Sequence, residues 1–340
     1  MQLFHNLPGT PNELAQKPRA DAELVRRVCR VLASGRVITE KRADYFSPTE
    51  FSVALTQPGY VGGLGSMFLD ILPTFLVLPE HLQKNGYSNP TSPADAAIMS
   101  ARGMGYFEWL AHNKEAGEGF NSLMAEFSNL NTFKWTEVYP LSHLLEDFSI
   151  EPAEGEETPP LIVDVGGGVG ASMELLRLAL SAGAAGANGT APGSAISHKL
   201  IVEDQPSVVA EGQKQNPELT FVVHDFFTPQ PVIGARAYFL RNVLHDWPDE
   251  KARLILRNLK GAMRGGRPKS KLLLEENVMF DRATDVASES MDFIMMGLLG
   301  AEERSESKWK ALLQGEGFNV LKVWRGVGSA RAVVEAELAS

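Results

Sequence analysis

The chain has 340 residues, a net charge of −10 and one cysteine, Cys29. Its apolar content of 44% and charged content of 22% are those of a globular protein with a large core, and its length favours two domains. The negative charge argues against nucleic acid or an anionic membrane as the main partner, and one cysteine excludes an intramolecular disulfide and a cysteine-cluster metal site. We expect Cys29 to be buried, no apolar run to reach transmembrane length, no signal peptide, no bound metal, and a cytoplasmic location.

Helical periodicity dominates the first 150 residues. Pro11 lies in the first turn of a short predicted helix, and Asp21 is a plausible N-cap for a second helix, whose apolar residues at 24, 25, 28, 31 and 32 share one face. The segments 36–40 and 43–47 follow as a two-stranded wing, so this part predicts a winged helix. DNA binding is an alternative interpretation, opposed by the acidic charge and suggested by three arginines on the second helix: Arg26, Arg27 and Arg30.

Further helical patterns cover 65–85 and 93–130, and the acidic, proline-bounded segment Glu151–Pro160 predicts a domain boundary. We therefore expect a mostly helical domain at 1–150 and a second domain at 151–340. In the second domain apolar runs alternate with helical patterns, which predicts a parallel sheet with crossover helices. The predicted strands are 161–165, 199–203, 219–223, 236–240, 271–275, and two later ones near 318–323 and 329–335. A Gly/Ala-rich run, Ser181–Ser197, predicts a surface insertion.

The stretch Leu161–Ala171 restricts the possible classes of ligand and enzyme more than any other part of the sequence. A β-branched run ends at Asp164, and glycines follow at 166, 168 and 170 before a helical pattern, so a buried strand turns sharply into a helix. The glycines also fit the dinucleotide pattern Gly166-x-Gly168-x-x-Ala171, and a glycine-rich turn used only for packing is a further alternative. Asp164 favours a cationic ligand, because a carboxylate would repel a pyrophosphate. Asp-x-Gly-x-Gly-x-Gly resembles the first motif of S-adenosylmethionine (SAM) methyltransferases.

Polar side chains follow the predicted strands where a ligand sits in an open α/β sheet. Asp204 is placed to bind ribose hydroxyls, and Asp225 with Phe226 to hold an adenine. Arg241 and His245 follow the next strand, and Glu275 and Glu276 close the one after it. Each residue alone reads equally well as a solvated loop residue, so the argument depends on their recurrence at strand ends.

The run Leu240–Glu250, Leu-Arg-Asn-Val-Leu-His-Asp-Trp-Pro-Asp-Glu, resembles the signature of small-molecule O-methyltransferases of the plant caffeate type and their fungal relatives. The similarity covers nearly the whole chain; Phe107–Leu110 and Phe120–Met124 resemble the substrate-lining helices of that family. The resemblance implies an α/β fold, with a Rossmann-like SAM-binding doubly wound sheet and a mostly helical N-terminal winged-helix domain that dimerises.

The resemblance also implies the site. His245 corresponds to the catalytic base, with Glu276 and Glu303 flanking it, while Asp164, Gly166, Gly168, Asp204, Asp225, Phe226 and Arg241 bind SAM. A phenol with a pKa near ~10 needs such a base, and a carboxylate on the far ring nitrogen would fix its tautomer. The alternative for His245 is a structural cap bonded to Asp246 or to the backbone. We expect four methionines to line an apolar acceptor pocket: Met124, Met291, Met295 and Met296. For each of them, packing in the core is an equal alternative.

The chain departs from the family pattern in three places. Arg241 replaces the usual lysine, Gln205 replaces the usual leucine, and several family helices that precede the Thr10 region are missing, which puts the expected homodimer in doubt. We expect a SAM-dependent O-methyltransferase that acts on a phenolic or enolic hydroxyl of a small secondary metabolite. Two rivals remain: a SAM-binding pericyclase or dehydratase of fungal natural-product biosynthesis, and a non-enzymatic SAM-sensing or winged-helix scaffold protein.

Overall fold

The computed structural model describes residues 5–16, 18–130, 133–146, 148, 159–187, 198–265, 269–282, 286–326 and 329–339, without the side chains of 125–130 and 183–187. Two compact units divide the chain: Met1–Leu76 with Tyr106–Asn131, and Val77–Gly105 with Thr132–Ser340. The acidic segment at 151–158 and the Gly/Ala-rich run at 188–197 lie outside the described residues. The predicted domain boundary near residue 150 therefore stays a prediction.

The helices occupy both units, with 3₁₀ turns at Pro93–Asp95 and Leu244–Asp246. In chain order they are α1 Pro11–Gln16, α2 Ala22–Ser34, α3 Glu50–Ala54, α4 Pro58–Ser66, α5 Leu72–Lys84, α6 Ala97–Arg102, α7 Tyr106–His112, α8 Lys114–Leu130, α9 Trp135–Val138, α10 Leu141–Leu145, α11 Ala171–Ala187, α12 Pro206–Gln215, α13 Asp249–Met263, α14 Val286–Leu299 and α15 Glu306–Gly315.

The first unit begins with two helices and a hairpin, close to the predicted positions. Asp21 caps α2 by accepting a hydrogen bond from the backbone N–H of Leu24 at 2.9 Å. The antiparallel hairpin joins β1, Ile38–Arg42, to β2, Tyr45–Pro48. Cys29 is buried, as predicted, in a small core with neighbours from α1, α2 and the hairpin. The winged-helix assignment stays a prediction.

The expectation that no apolar run reaches transmembrane length was wrong. The continuous helical segment Pro58–Lys84, 27 residues long, is long and apolar enough to cross a membrane by length and composition alone. The helix runs on through a π-helical segment, Met67–Ile71, and past Pro79, so that shorter apolar runs join into one. Asp70 interrupts the apolar run of this segment, and it is buried. Its carboxylate accepts hydrogen bonds from the Ser66 hydroxyl at 2.7 Å and the Trp109 indole at 2.9 Å.

The second unit is built on a seven-stranded sheet whose strands match the predicted ones. They are β3 Ile162–Val165, β4 Leu200–Asp204, β5 Thr220–Val223, β6 Ala237–Arg241, β7 Lys271–Asn277, β8 Phe318–Arg325 and β9 Arg331–Leu338. The order across the sheet is β5-β4-β3-β6-β7-β9-β8, and β9 runs antiparallel to both of its neighbours. The first five of these strands are parallel, as the alternation of apolar and helical segments predicts.

Helices cover both faces of this sheet. Val163 and Val165 of β3 face one apolar core, which includes residues of α13 and α15, whereas Ile162 faces a second core that includes residues of α11. Alternate residues of one strand thus enter different cores, which is the mark of a strand buried on both sides. The observed architecture is the predicted α/β, doubly wound sheet.

The strand order predicts where a ligand crevice lies, at the carboxyl ends of β3 and its neighbours. β3 pairs with β4 on one side and β6 on the other, so the chain winds in opposite directions from this point. Ligands of doubly wound sheets bind outside the carboxyl ends of the strands at such a reversal. The glycine turn follows β3 directly and the His245 turn follows β6, so both predicted motifs lie at this edge.

We expect Gly300→Ala to destabilise the second unit by about 2 kcal/mol. Gly300 has a φ of +59°, and an added Cβ would lie 2.2 Å from the backbone oxygen of Ser92. Urea unfolding followed by circular dichroism measures the effect. Gly261→Ala in α13 is the matched control, because its Cβ meets no described atom within 4 Å. Equal midpoints for the two variants would contradict the prediction.

Candidate functional site

The glycine turn after β3 uses conformations that side chains rarely adopt. Gly166, Gly168 and Gly170 have φ values of +72°, +61° and +90°. An added Cβ on Gly167 would lie 2.5 Å from the carboxyl carbon of Asp164, whereas one on Gly168 would meet no described atom within 4 Å. The turn is therefore tight towards the sheet and open at Gly168, which suits the close approach of a ligand.

Asp164 lies beneath this turn with an unsatisfied carboxyl group. The residue is 1% exposed, and neither carboxyl oxygen has a hydrogen-bond partner among the described residues. Burial raises the pKa of Asp164 to about 8, although the nearby guanidinium of Arg241 opposes that shift. A buried, unpaired carboxyl group is costly, and a cationic ligand group would offset that cost.

Asp204 connects the second strand to the turn. Its Oδ2 accepts a hydrogen bond from the backbone N–H of Gly168 at 2.9 Å, and Oδ1 accepts one from the N–H of Gln205 at 2.7 Å. Burial raises the pKa of Asp204, and the two N–H donors oppose that shift. The structure thus brings Asp204 to the glycine turn, as the sequence predicts.

The two residues predicted to hold an adenine, Asp225 and Phe226, lie in different environments. The Phe226 ring comes within 3.6 Å of the position that a Cβ on Gly166 would take, so it lies beside the turn. Asp225 is exposed, and its Oδ1 accepts a hydrogen bond from the backbone N–H of Phe227 at 3.0 Å. That carboxylate is therefore engaged in its own turn.

Arg241 ends β6 within a charged cluster. Its Nε lies 3.2 Å from Glu275 Oε1, which also receives a hydrogen bond from Arg331 at 2.9 Å. One terminal nitrogen of Arg241 donates to the Ser172 hydroxyl of α11 at 3.4 Å. Arg241 therefore crosses from the end of β6 to the helix that follows the glycine turn.

His245 lies on the 3₁₀ turn that follows β6. The chain leaves the strand through Asn242, which has a φ of +52°. The Nδ1 atom of His245 lies 3.0 Å from Glu303 Oε1, and the Nε2 atom lies 3.4 Å from Asp246 Oδ1. The His245 side chain is 14% exposed, so the imidazole is held between two carboxylates while one part of it stays accessible.

Glu276 acts on this turn through the backbone. Its Oε1 accepts hydrogen bonds from the N–H groups of Leu244 at 3.0 Å and Val243 at 3.3 Å, while Oε2 has no described partner. Burial raises the pKa of Glu276 to about 7. The structure brings Glu276 close to His245, but it is Glu303 whose carboxylate accepts the hydrogen bond from the ring.

The three carboxylates dominate the electrostatics of the imidazole. Burial alone would lower the pKa of His245, but Asp246, Glu276 and Glu303 together raise it to about 10. Near neutral pH the imidazole therefore carries a proton on both ring nitrogens. An imidazolium in this position can donate a hydrogen bond or stabilise an oxyanion, and its neutral form is a strong base.

The predicted methionines are divided between the units. Met124 lies half-buried on α8 of the first unit. Met291 and Met295 are half-buried and one turn apart on α14, which also carries Asp292. Asp292 accepts the backbone N–H of Glu303 at 2.8 Å, so this helix is joined to the catalytic candidates.

Sequence reasoning did not assign two groups near His245. Asp246 was treated only as a possible structural partner, and Arg304, which binds the His245 turn, was not singled out. The position of Arg304 directly after Glu303 was the available signal, but a charged residue in a loop usually faces solvent. Here it is 1% exposed.

The residues at this edge fit S-adenosylmethionine on three observations: the orphaned Asp164 carboxyl group, the open turn at Gly168, and the Asp204 carboxylate beside it. No group of His, Cys, Asp and Glu with the arrangement of a metal site occurs among the described residues. The sheet, the glycine turn and the acids at the strand ends together define the SAM-dependent methyltransferase class.

Comparisons with known proteins define the family. Residues 92–319 match the O-methyltransferase domain model. The chain is 32% identical over 331 residues to O-methyltransferase mfmE of Annulohypoxylon moriforme, covering 97% of this chain and 77% of the relative. It is 30% identical to the demethylsterigmatocystin 6-O-methyltransferase of Aspergillus parasiticus, covering 93% and 75%.

Solved structures agree with this result. The structure of LepI in complex with SAM superposes with a TM-score of 0.85 at 26% identity, covering 99% of this chain and 83% of that one. A structure described as a pericyclic reaction enzyme gives 0.84 at 26% identity, covering 97% and 80%. The chain belongs to the O-methyltransferase family, and is a SAM-dependent O-methyltransferase of fungal secondary-metabolite type.

Proposed function

We propose that this enzyme methylates a phenolic or enolic hydroxyl of a small, polyketide-like secondary metabolite, with His245 as the general base. The observation that carries the proposal is the imidazole held 3.0 Å from Glu303, on the turn beside the glycine motif at the same edge of the sheet. The relative from Aspergillus parasiticus is named as the 6-O-methyltransferase of demethylsterigmatocystin, which supports a small-molecule hydroxyl as the acceptor.

His245 takes the hydroxyl proton in this mechanism. The neutral imidazole accepts the proton on Nε2, and the Glu303 carboxylate on Nδ1 stabilises the imidazolium that forms. The carboxylates around His245 raise its pKa towards that of a phenol, about 10, which favours transfer of the proton to the imidazole. The acceptor oxygen then carries its charge beside the imidazolium.

The cofactor site is assigned to the glycine turn and its neighbours. Asp164 faces the cationic part of the ligand, Asp204 binds the ribose hydroxyls, and Phe226 packs on the adenine with Asp225 nearby. Arg241 closes the cradle from β6, beside Gly166 and Gly168. When bound, S-adenosylmethionine supplies an electrophilic methyl group on a cationic sulfur. The acceptor is assigned to the half-buried methionines of α14: Met291, Met295 and Met296. Met124, on α8 of the first unit, stays a prediction from the sequence.

A second candidate is a pericyclic or dehydration reaction with SAM bound and unreacted. The raised pKa of His245 favours it, because the surrounding carboxylates stabilise the protonated imidazole in the free enzyme. The imidazolium would then donate a hydrogen bond to a substrate carbonyl. The similarity to the pericyclic reaction enzyme adds to this candidate.

Labelled cofactor distinguishes the two candidates. The enzyme is incubated with methyl-labelled SAM and a panel of phenolic and polyketide-like acceptors, and the products are analysed by mass spectrometry. A product that carries the labelled methyl group on an oxygen atom supports methyl transfer. An isomerised or dehydrated product with SAM recovered intact supports the second candidate and refutes the first.

The pH dependence gives a further prediction, for Glu303→Gln. Removing this carboxylate takes away one cause of the raised pKa of His245, so that pKa falls by about one unit. A base must be neutral to act, and the rate therefore rises with pH through the pKa of His245. The rising part of the kcat/KM profile should move to lower pH in this variant.

The matched control is Glu302→Gln, because Glu302 lies next to Glu303 but pairs with Lys308, while the Nε of Arg304 lies 3.9 Å from its carboxylate. Its profile should superpose on that of the unmodified enzyme. A profile for Glu303→Gln that does not move, or moves to higher pH, would contradict the assignment.

We also propose a cytoplasmic homodimer without a nucleic-acid or membrane partner. On the helical segment Pro58–Lys84, large apolar side chains that are partly exposed recur at every fourth residue: Tyr60, Leu64, Phe68, Leu72 and Leu76. A stripe of this kind is typical of a protein interface. Light scattering tests the mass in solution against the 37.1 kDa of one chain.

A further inference from the structure

Arg304 is among the most buried charged residues of the second unit, and all of its described hydrogen bonds go to the segment around His245. The side chain is 1% exposed. One terminal nitrogen donates to the backbone oxygen of Leu244 at 2.9 Å, and the other donates to that of Trp247 at 2.8 Å. These two oxygens lie on either side of His245 and Asp246 in the chain.

The same guanidinium is held from two further directions. Its Nε and one terminal nitrogen donate to Asp249 Oδ1 at 3.0 and 2.9 Å, at the first turn of α13. Its carbon atom lies 5.1 Å from the centre of the Trp309 ring on α15. A planar, fully charged fork with several directed donors is suited to such a position, and a lysine would not reproduce it.

Arg304 also directly follows the carboxylate that binds the imidazole. The backbone of this pair is fixed, because the N–H of Glu303 donates to Asp292 at 2.8 Å and the oxygen of Arg304 accepts the N–H of Met279 at 3.1 Å. The Glu303 side chain and the Arg304 side chain thus reach the same turn from adjacent residues. One binds the ring, and the other binds the backbone that carries the ring.

We propose that Arg304 is a positioning residue, which sets the separation between the His245 imidazole and the Glu303 carboxylate by binding the backbone on both sides of the histidine. We call Arg304 with the two backbone oxygens that it binds, those of Leu244 and Trp247, the arginine clamp. The idea rests on the proposed role of His245, but it holds for either candidate reaction. A shift of about 1 Å between catalytic groups is enough to lower rates by about 10²-fold.

The test is the titration of His245 by NMR, with ring-labelled histidine and SAH present. The chain has seven histidines, and the signal of His245 is assigned from its absence in H245Q. The charged groups that face this ring are Asp246 of its own turn, Glu276 of β7 and Glu303 of the loop before α15. In Arg304→Lys we expect the pKa of His245 to fall by about one unit, because the Glu303 contact loosens.

A double-mutant cycle separates positioning from general damage. If Arg304 acts through Glu303, the pKa of His245 in R304K/E303Q should equal that in E303Q, since the contact is already lost. Additive shifts would overturn the proposal, and so would an unchanged pKa in R304K beside a lowered one in E303Q. SAH affinity should stay within about threefold of the unmodified enzyme in R304K, since none of the described hydrogen bonds of Arg304 goes to a residue of the proposed cofactor cradle.

Asp249→Asn is the matched control. It weakens the ion pair but leaves the two backbone hydrogen bonds of the arginine clamp, so the titration of His245 should not move. A shift in D249N as large as that in R304K would overturn the proposal and assign the effect to the ion pair. The titration needs no acceptor, so the two tests are independent. An unchanged pKa of His245 in R304K would refute the clamp without refuting methyl transfer, and an absence of methyl transfer would not alter the titration result.

Discussion

His245→Ala is expected to lower kcat by about 10³-fold while the affinity for SAM stays within about threefold. The imidazole is the proposed base for the acceptor hydroxyl, and the described contacts of its ring are to Glu303 and Asp246 rather than to the glycine turn. Rates are measured under saturating SAM and acceptor, and affinity by calorimetry with SAM alone.

His143→Ala is the control for this experiment. His143 is half-exposed and lies 3.7 Å from Glu335, in a cluster away from the His245 turn. Its kcat should be that of the unmodified enzyme. If His245→Ala retains near-normal turnover, the imidazole is not the base, and a purely structural role for it would follow.

Asp204→Ala is expected to weaken SAM binding by about 10- to 100-fold, the second large effect. The variant loses the carboxylate proposed for the ribose and also the hydrogen bond that holds the N–H of Gly168 at 2.9 Å. Both losses act on the cofactor cradle. Calorimetry with SAM and with SAH should give the same loss, because the two ligands share the nucleoside.

The control removes one carboxylate from the helix that follows Asp204, α12. Glu211→Ala changes the net charge equally, and Glu211 is an exposed residue of α12 that pairs with Lys214. Its SAM affinity should be unchanged. Equal losses in the two variants would indicate a long-range charge effect, and an unaffected Asp204→Ala would remove Asp204 from the cradle.

The sheet was accessible from the sequence because each buried strand is a short apolar run. Ile162–Val165 and Leu200–Asp204 match predicted strands within one residue, and the polar residues after them mark the ligand edge. Asp204 was expected at a strand end from this pattern, and the structure brings it to the glycine turn. Glu303, which the structure brings to His245, was expected only from the family resemblance.

Other features depended on tertiary contacts that periodicity does not encode. The face of α2 that carries Leu24, Val28 and Val31 looks like a core stripe, but these side chains are exposed, and Val25 and Cys29 fill the core instead. The helical pattern predicted over 65–85 already runs past Pro79, but the earlier start of the segment at Pro58 was not predicted. The arginine clamp requires a loop to fold back onto a turn 60 residues earlier, which no local pattern indicates.

The most direct test of the central claim is a structure of the enzyme with SAH and the methylated product. We predict that the new ether oxygen lies within about 3 Å of His245 Nε2, with its methyl carbon directed towards the sulfur above the glycine turn. A product whose ether oxygen lies beyond hydrogen-bond reach of that nitrogen, or an imidazole turned towards the protein interior, would contradict the account.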